Sequence, residues 1–168
     1  MTFSAAGHVT GLGHCGIQVA DLERSVAFYE QLLGVKAELR WTKEGETVEN
    51  LTGYPGLLVH GAALRVPQSD VIFEILEYRN VERTPVDPAT ANPGTGHVCF
   101  YVDDLQALYE RLVTRGVEFI SPPLVATSGA DRRVLYLIDP DGIRVELLQS
   151  PVNLLEEPRE TTASVLSA

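Results

Sequence analysis

His14-Cys-Gly-Ile-Gln-Val-Ala-Asp-Leu22 recurs in altered form as His97-Val-Cys-Phe-Tyr-Val-Asp-Asp-Leu105, at an offset of 97 − 14 = 83 residues. Self-similarity at that distance within 168 residues marks an internal repeat. In both copies an apolar-rich run of strand character leads to an aspartate, Asp21 or Asp104, and then into a helical pattern. The apolar stripes are Leu22, Val26, Tyr29 and Leu33 in the first copy, and Leu105, Leu108, Tyr109 and Leu112 in the second. Gly34 and Gly116, offset by 116 − 34 = 82, follow where a residue with positive φ is expected to end each helix.

The two copies also finish alike. Val71-Ile-Phe-Glu-Ile-Leu-Glu-Tyr78 and Gly142-Ile-Arg-Val-Glu-Leu-Leu-Gln149 are β-prone runs, each with a glutamate among apolar neighbours, at an offset of 146 − 74 = 72. Asp139-Pro-Asp-Gly142 is a turn signal, so 134–138 and 143–148 are expected to form a hairpin. Between the copies, 79–96 carries Pro85, Pro88 and Pro93 among Asn, Asp, Thr and Gly, which is linker chemistry. The expected organisation is a βαβββ module over 10–78, a linker over 79–96, a second βαβββ module over 97–150 and a tail over 151–168. The expected fold class is α+β: two tandem modules forming a cup-shaped mixed β-sheet with helices outside.

Composition narrows the function. With 45% hydrophobic and 21% charged residues the chain has globular composition. Thirteen Lys and Arg against 23 Asp and Glu give a net charge of -10, which repels nucleic acid instead of binding it. No window reaches the roughly 18 apolar residues of a membrane span, and MTFSAAGHVTGLGH lacks the basic-then-apolar order of a secretory signal, so a cytoplasmic protein without a membrane partner is expected. Cys15 and Cys99 are too few for a disulfide framework and are expected to be buried small hydrophobes.

Strand alternation puts His14, Gly16 and Gln18 on one face, and likewise His97, Cys99 and Tyr101. Glu74 and Glu146 sit inside apolar runs, where a lone carboxylate is costly to bury. If the modules pair with approximate two-fold symmetry, His14, Glu74, His97 and Glu146 converge as two nitrogens and two carboxylates. Such a set suits a borderline or hard divalent ion: Ni, Co, Zn, Mn, Mg or Fe. A six-coordinate ion would keep two positions open.

The segments His14 to Tyr29, His97 to Leu105 and Asp139 to Glu146 resemble the vicinal oxygen chelate superfamily over about residues 10 to 150. That resemblance implies the paired βαβββ fold and several possible reactions. The order His, Glu, His, Glu is similar to that of bacterial glyoxalase I, whereas extradiol dioxygenases of the superfamily use two His and one Glu for iron, and bleomycin-binding relatives lack the ligands. The resemblance therefore implies a divalent-metal-dependent isomerase, epimerase or lyase that chelates vicinal oxygens of a small carbonyl substrate and moves an α-proton through an enediolate. An iron-dependent ring-cleaving dioxygenase and a non-catalytic binding or resistance protein are the alternatives. Glu146 or Glu74 would act as base. Glu49 is a third candidate, because the related methylmalonyl-CoA epimerase carries a catalytic Glu in a comparable Val-Glu context, although Glu44, Glu46 and Glu49 equally fit a solvated loop edge. Thr52-Gly-Tyr-Pro-Gly56 fits either a pocket-shaping connection or a plain turn. Arg132 and Arg133 fit either an exposed pair or a clamp for an anionic group. A homodimer is expected, with the four ligands meeting either within one chain or across two.

Overall fold

A computed structural model describes residues 7–125 and 132–151, so the tail expected beyond 151 lies outside the described residues. The chain divides into two compact units, Met1–Pro85 and Val86–Ala168.

The first unit runs β1 (His14–Gln18), α1 (Leu22–Leu33), β2 (Leu39–Lys43), α2 (Glu46–Thr52), β3 (Leu58–Arg65) and β4 (Ile72–Arg79). Its four-stranded sheet has the order β1-β4-β3-β2, with β1 parallel to β4 and the other neighbours antiparallel. The parallel pair follows from the crossover through α1, which brings the chain back beside β1 only on its last strand. α1 buries Leu22, Val26, Tyr29 and Leu32, with the Tyr29 ring 4.8 Å from that of Phe73. Beneath it, Phe73 and Ile75 of β4 with Ala62 and Leu64 of β3 complete the core. Leu33 was expected in the stripe, but the neighbouring Leu32 takes the buried place.

The second unit runs β5 (Val98–Tyr101), α3 (Leu105–Val113), β6 (Glu118–Phe119), β7 (Leu124–Val125), β8 (Arg133–Ile138) and β9 (Arg144–Gln149). The sheet order is β5-β9-β8-β6, with β7 also paired to β8 and β5 parallel to β9. Leu105 and Leu112 of α3 and Leu135, Leu137, Val145 and Leu147 of the hairpin are buried. The hairpin turn is closed by Asp139, whose Oδ1 accepts the Asp141 and Ile143 N–H groups at 2.9 and 2.8 Å.

The repeat extends to its capping chemistry. Asp21 and Asp104 each accept the N–H three residues on, Arg24 at 2.9 Å and Ala107 at 3.0 Å. The N–H of each helix's first residue is taken by the last strand: Leu22 donates to Glu77 Oε2 at 3.1 Å and Leu105 to Gln149 Oε1 at 2.9 Å. These acceptors are 149 − 77 = 72 residues apart, the offset that also separates Glu74 from Glu146. Asp21→Ala should lower unfolding stability by about 1 kcal/mol through loss of the cap, measured by urea denaturation.

Three sequence expectations are corrected. The connection after β2 contains α2, so Glu49 stands on a helix and not on a loop edge. Glu46 and Glu49 lie in its first turn, where the helix dipole favours negative charge, and Gly53 (φ 79) ends it by donating to the Glu49 carbonyl at 2.7 Å. α3 does not stop directly at glycine: Thr114 (φ -64) continues right-handed and the left-handed residue is Gly116 (φ 75), whereas α1 does end at Gly34 (φ 69). Finally, Cys15, on the edge strand β1, is half-buried, and Cys99 is exposed because it shares the open face of its sheet with His97.

Candidate metal centre

His14 begins β1, and Glu74 on the neighbouring parallel strand β4 is in register with Gly16. The two-residue step from Gly16 to His14 returns to the same face, so imidazole and carboxylate meet: Nε2 lies 3.2 Å from Glu74 Oε2. In the second unit Glu146 on β9 is in register with Cys99, and His97 again stands two residues earlier. His97 Nε2 lies 3.0 Å from Glu146 Oε2. One register rule builds both pairs. The histidines are the open members, 56% and 44% exposed against 23% and 19% for the glutamates, so each pair offers a nitrogen and an oxygen on an accessible face.

The pairs are held by the same scaffold. Beyond the ladder, Val19 donates to the Leu76 carbonyl and Val102 to the Leu148 carbonyl, both at 2.9 Å, so each His-bearing strand is pinned to its Glu-bearing strand past its end.

They differ at one position. Tyr136 on β8, in register with Glu146, donates its hydroxyl to Glu146 Oε2 at 3.0 Å, and its ring stands edge-on to His97 with centroids 5.5 Å apart. Its counterpart facing Glu74 is Ala63. Burial first, then the hydrogen bond to Glu146, push the Tyr136 hydroxyl up to about 12. Cys99 is exposed by area, yet crowding around its sulfur, reinforced by the Glu146 charge and opposed by Arg132, pushes its thiol up to about 12.

The remaining candidates separate. Glu49 is half-buried on α2, and no described hydrogen bond or ion pair links its carboxylate to His14 or Glu74. Residues 52–56 close α2 and turn into Leu57, with Tyr54 49% exposed. Arg132 is buried and Arg133, the first residue of β8, is exposed, so the two do not act as an exposed pair. Among the described residues, no group of three or more His, Cys, Asp or Glu side chains gathers where it could hold a metal ion; the pairs stand as two half-sets. Tyr136 escaped sequence reasoning because its role depends on register across a hairpin, and its only signal was the alternation Val134, Tyr136, Ile138.

This duplicated module, with one His–Glu pair apiece, places the chain in a class defined by a sequence profile as well as by fold: it belongs to the Glyoxalase/Bleomycin resistance protein/Dioxygenase superfamily, matched over residues 11–147. It is 28% identical over 146 residues to a lactoylglutathione lyase of Schizosaccharomyces pombe, covering 82% of this chain and 46% of that protein. It is also 28% identical over 156 residues to a lactoylglutathione lyase of Pseudomonas aeruginosa, covering 83% and 82%. The chain thus spans less than half the length of the yeast relative and most of the bacterial one. A glyoxalase-family protein from Bacillus cereus has the same fold, with a TM-score of 0.73, 23% identity and coverage of 88% of this chain and 98% of that one. Among the described residues no helix is long and apolar enough to cross a membrane.

Proposed function

We propose that His14, Glu74, His97 and Glu146 together hold one divalent cation, and that the protein is an isomerase, epimerase or lyase moving a proton next to a carbonyl of a small substrate. The observation that carries this is the repeated pair: two modules of different length and sequence build the same Nε2–Oε2 juxtaposition from the same register. Two imidazole nitrogens and two carboxylates suit Ni, Co, Zn, Mn, Mg or Fe, and the openness of both pairs leaves room for an ion and its remaining ligands. Bound there, the cation supplies Lewis-acid polarisation of two vicinal substrate oxygens.

The chain's own part is to place the carboxylates. In this reading Glu74 and Glu146 serve as the bases for the α-proton, and positioned proton transfer is worth ~10²–10⁴-fold. Glu49, on α2 of the first module, is kept as a further candidate base, with Glu49→Gln as its test: an unchanged kcat removes it. The lyase side of this reading is supported by the relatives named lactoylglutathione lyase. A homodimer in the cytoplasm accompanies the reading, and light scattering measures the assembly.

The deciding experiment is exchange of a substrate α-proton with deuterated water, followed by NMR on the metal-loaded protein with a panel of α-hydroxy and α-keto carbonyl compounds. Exchange that needs both metal and Glu74 or Glu146 is the expected result. Oxygen consumption with a catechol and no exchange would replace it with the ring-cleaving reaction. The Tyr136 hydrogen bond gives a second handle: Tyr136→Phe should keep the parent's circular dichroism and weaken metal affinity about tenfold, read by competition with a chromogenic chelator, since partners that orient ligands contribute on that scale.

A further inference from the structure

We propose that Trp41, Gly61 and Lys43 form a subsite for the far end of the substrate: an organic anion whose apolar chain lies along the indole and whose terminal carboxylate meets Lys43. The proposal rests on the metal reading above for the near end only.

Register places these residues on the face of His14 and Glu74. Glu74 opposes Ala63 on β3, which opposes Leu39 on β2; two residues along, Leu76 opposes Gly61, which opposes Trp41. Steps of two preserve the face, so the row of Trp41 lies beside the row of Glu74. The indole lies over Gly61: a Cβ there would stand 2.3 Å from Trp41 Cε2 and Cζ2 and 2.7 Å from Nε1. The absence of a side chain at Gly61 therefore makes the cradle in which the ring rests on the sheet. Strand spacings put Gly61 roughly 8 Å from Glu74, a short acyl chain's length.

The surface between is apolar. Ala63 and Leu76 lie between the two rows and Leu39, 59% exposed, borders them, so the stretch from Glu74 to Trp41 is lined by apolar side chains. At its outer end Lys43 Nζ lies 5.7 Å from the Trp41 ring centroid. Arg65, the other Lys or Arg on this face, is engaged by Glu38 through two contacts of 3.1 Å, which leaves Lys43 as the cation without a described ion pair there. In a chain with a net charge of -10, a cation beside an aromatic shelf selects for a negatively charged group attached to an apolar one.

Trp41 is the only tryptophan in the sequence, so its emission reports the subsite directly. Nickel-loaded full-length protein is titrated with pyruvate, α-ketocaproate and α-ketoadipate; the last two share a chain length and differ in the terminal carboxylate. Expected are a change in Trp41 emission with both long acids, α-ketoadipate binding about three- to tenfold tighter than α-ketocaproate, and abolition of that preference in Lys43→Met. By calorimetry, Trp41→Leu should weaken both long acids about tenfold and leave pyruvate unchanged. Equal affinities in the parent, or a preference that survives Lys43→Met, would overturn the subsite. His14→Ala separates the two readings: it should weaken all three acids while keeping the preference for α-ketoadipate, and a preference that persists with no His14 effect on affinity supports the subsite while removing the metal reading.

Discussion

His14→Ala and Glu146→Ala should each lose at least about a hundredfold in divalent-metal affinity, more than the 10–100-fold typical of partners that merely orient a ligand. The two variants probe different modules, and that makes them informative together. Among the described residues, the carboxylate beside His14 is Glu74 and the one beside His97 is Glu146. If each pair held its own ion weakly, each variant would remove half of the bound metal and leave the remainder untouched. If the pairs share one ion, either variant weakens all of it. Both substitutions fall at partly exposed side chains on the open faces, so the fold should survive and circular dichroism should match the parent.

Glu77 carries the largest expected stability effect. Its side chain is only 7% exposed; it accepts the Leu22 N–H at the start of α1 and receives Arg79 Nε at 2.8 Å and Nη2 at 3.0 Å. The Arg79 hydrogen bond, aided by the Leu22 N–H, holds the Glu77 carboxyl below its ordinary value of 4.5 despite burial. A depressed folded pKa means stability that is fully present above the ordinary carboxylate range and lost as pH falls through the folded value. Glu77→Ala should cost about 2–3 kcal/mol at pH 7, since a charge-assisted bond is lost and the Leu22 N–H is left without its acceptor. Glu77→Gln imitates the second module, where Gln149 does the same work without charge. It should cost less at pH 7 and lose part of the acid-side decline in stability between about pH 5 and 3, measured by urea titration at each pH. A decline as steep as the parent's would show that Glu77 does not carry it.

Much of this architecture was legible in the sequence because the repeat is spelled in the residues that matter: a His and an Asp at either end of the first strand, a Glu inside the last. The offset between copies is also not constant along the chain. It is 120 − 39 = 81 at Leu39 and Ile120, which stand opposite Ala63 and Tyr136, but only 136 − 63 = 73 at those partners. The first module holds the excess between β2 and β3, where α2 lies, so the falling offset announces an insertion even though seven residues rich in Glu and Thr look like a loop.

Other features needed register. Tyr136 reaches Glu146, and Trp41 settles on Gly61, only because the hairpins align them, and no local pattern states which residue faces which across a turn. The shared role of Glu77 and Gln149 was hidden by their difference in charge, although their offset of 72 matches that of the metal glutamates. The expected burial of Cys99 failed for a reason already present in the strand alternation: a residue on the face of His97 lies on the open side of its sheet.

Metal stoichiometry tests the central claim most directly. Full-length protein stripped with chelator, dialysed against nickel and weighed by native mass spectrometry should carry one ion per chain, falling toward none in the His14→Ala, Glu146→Ala double variant. Two ions per chain, each removed by disabling its own His–Glu pair, or none at all in the parent, would contradict a single cation held jointly by His14, Glu74, His97 and Glu146.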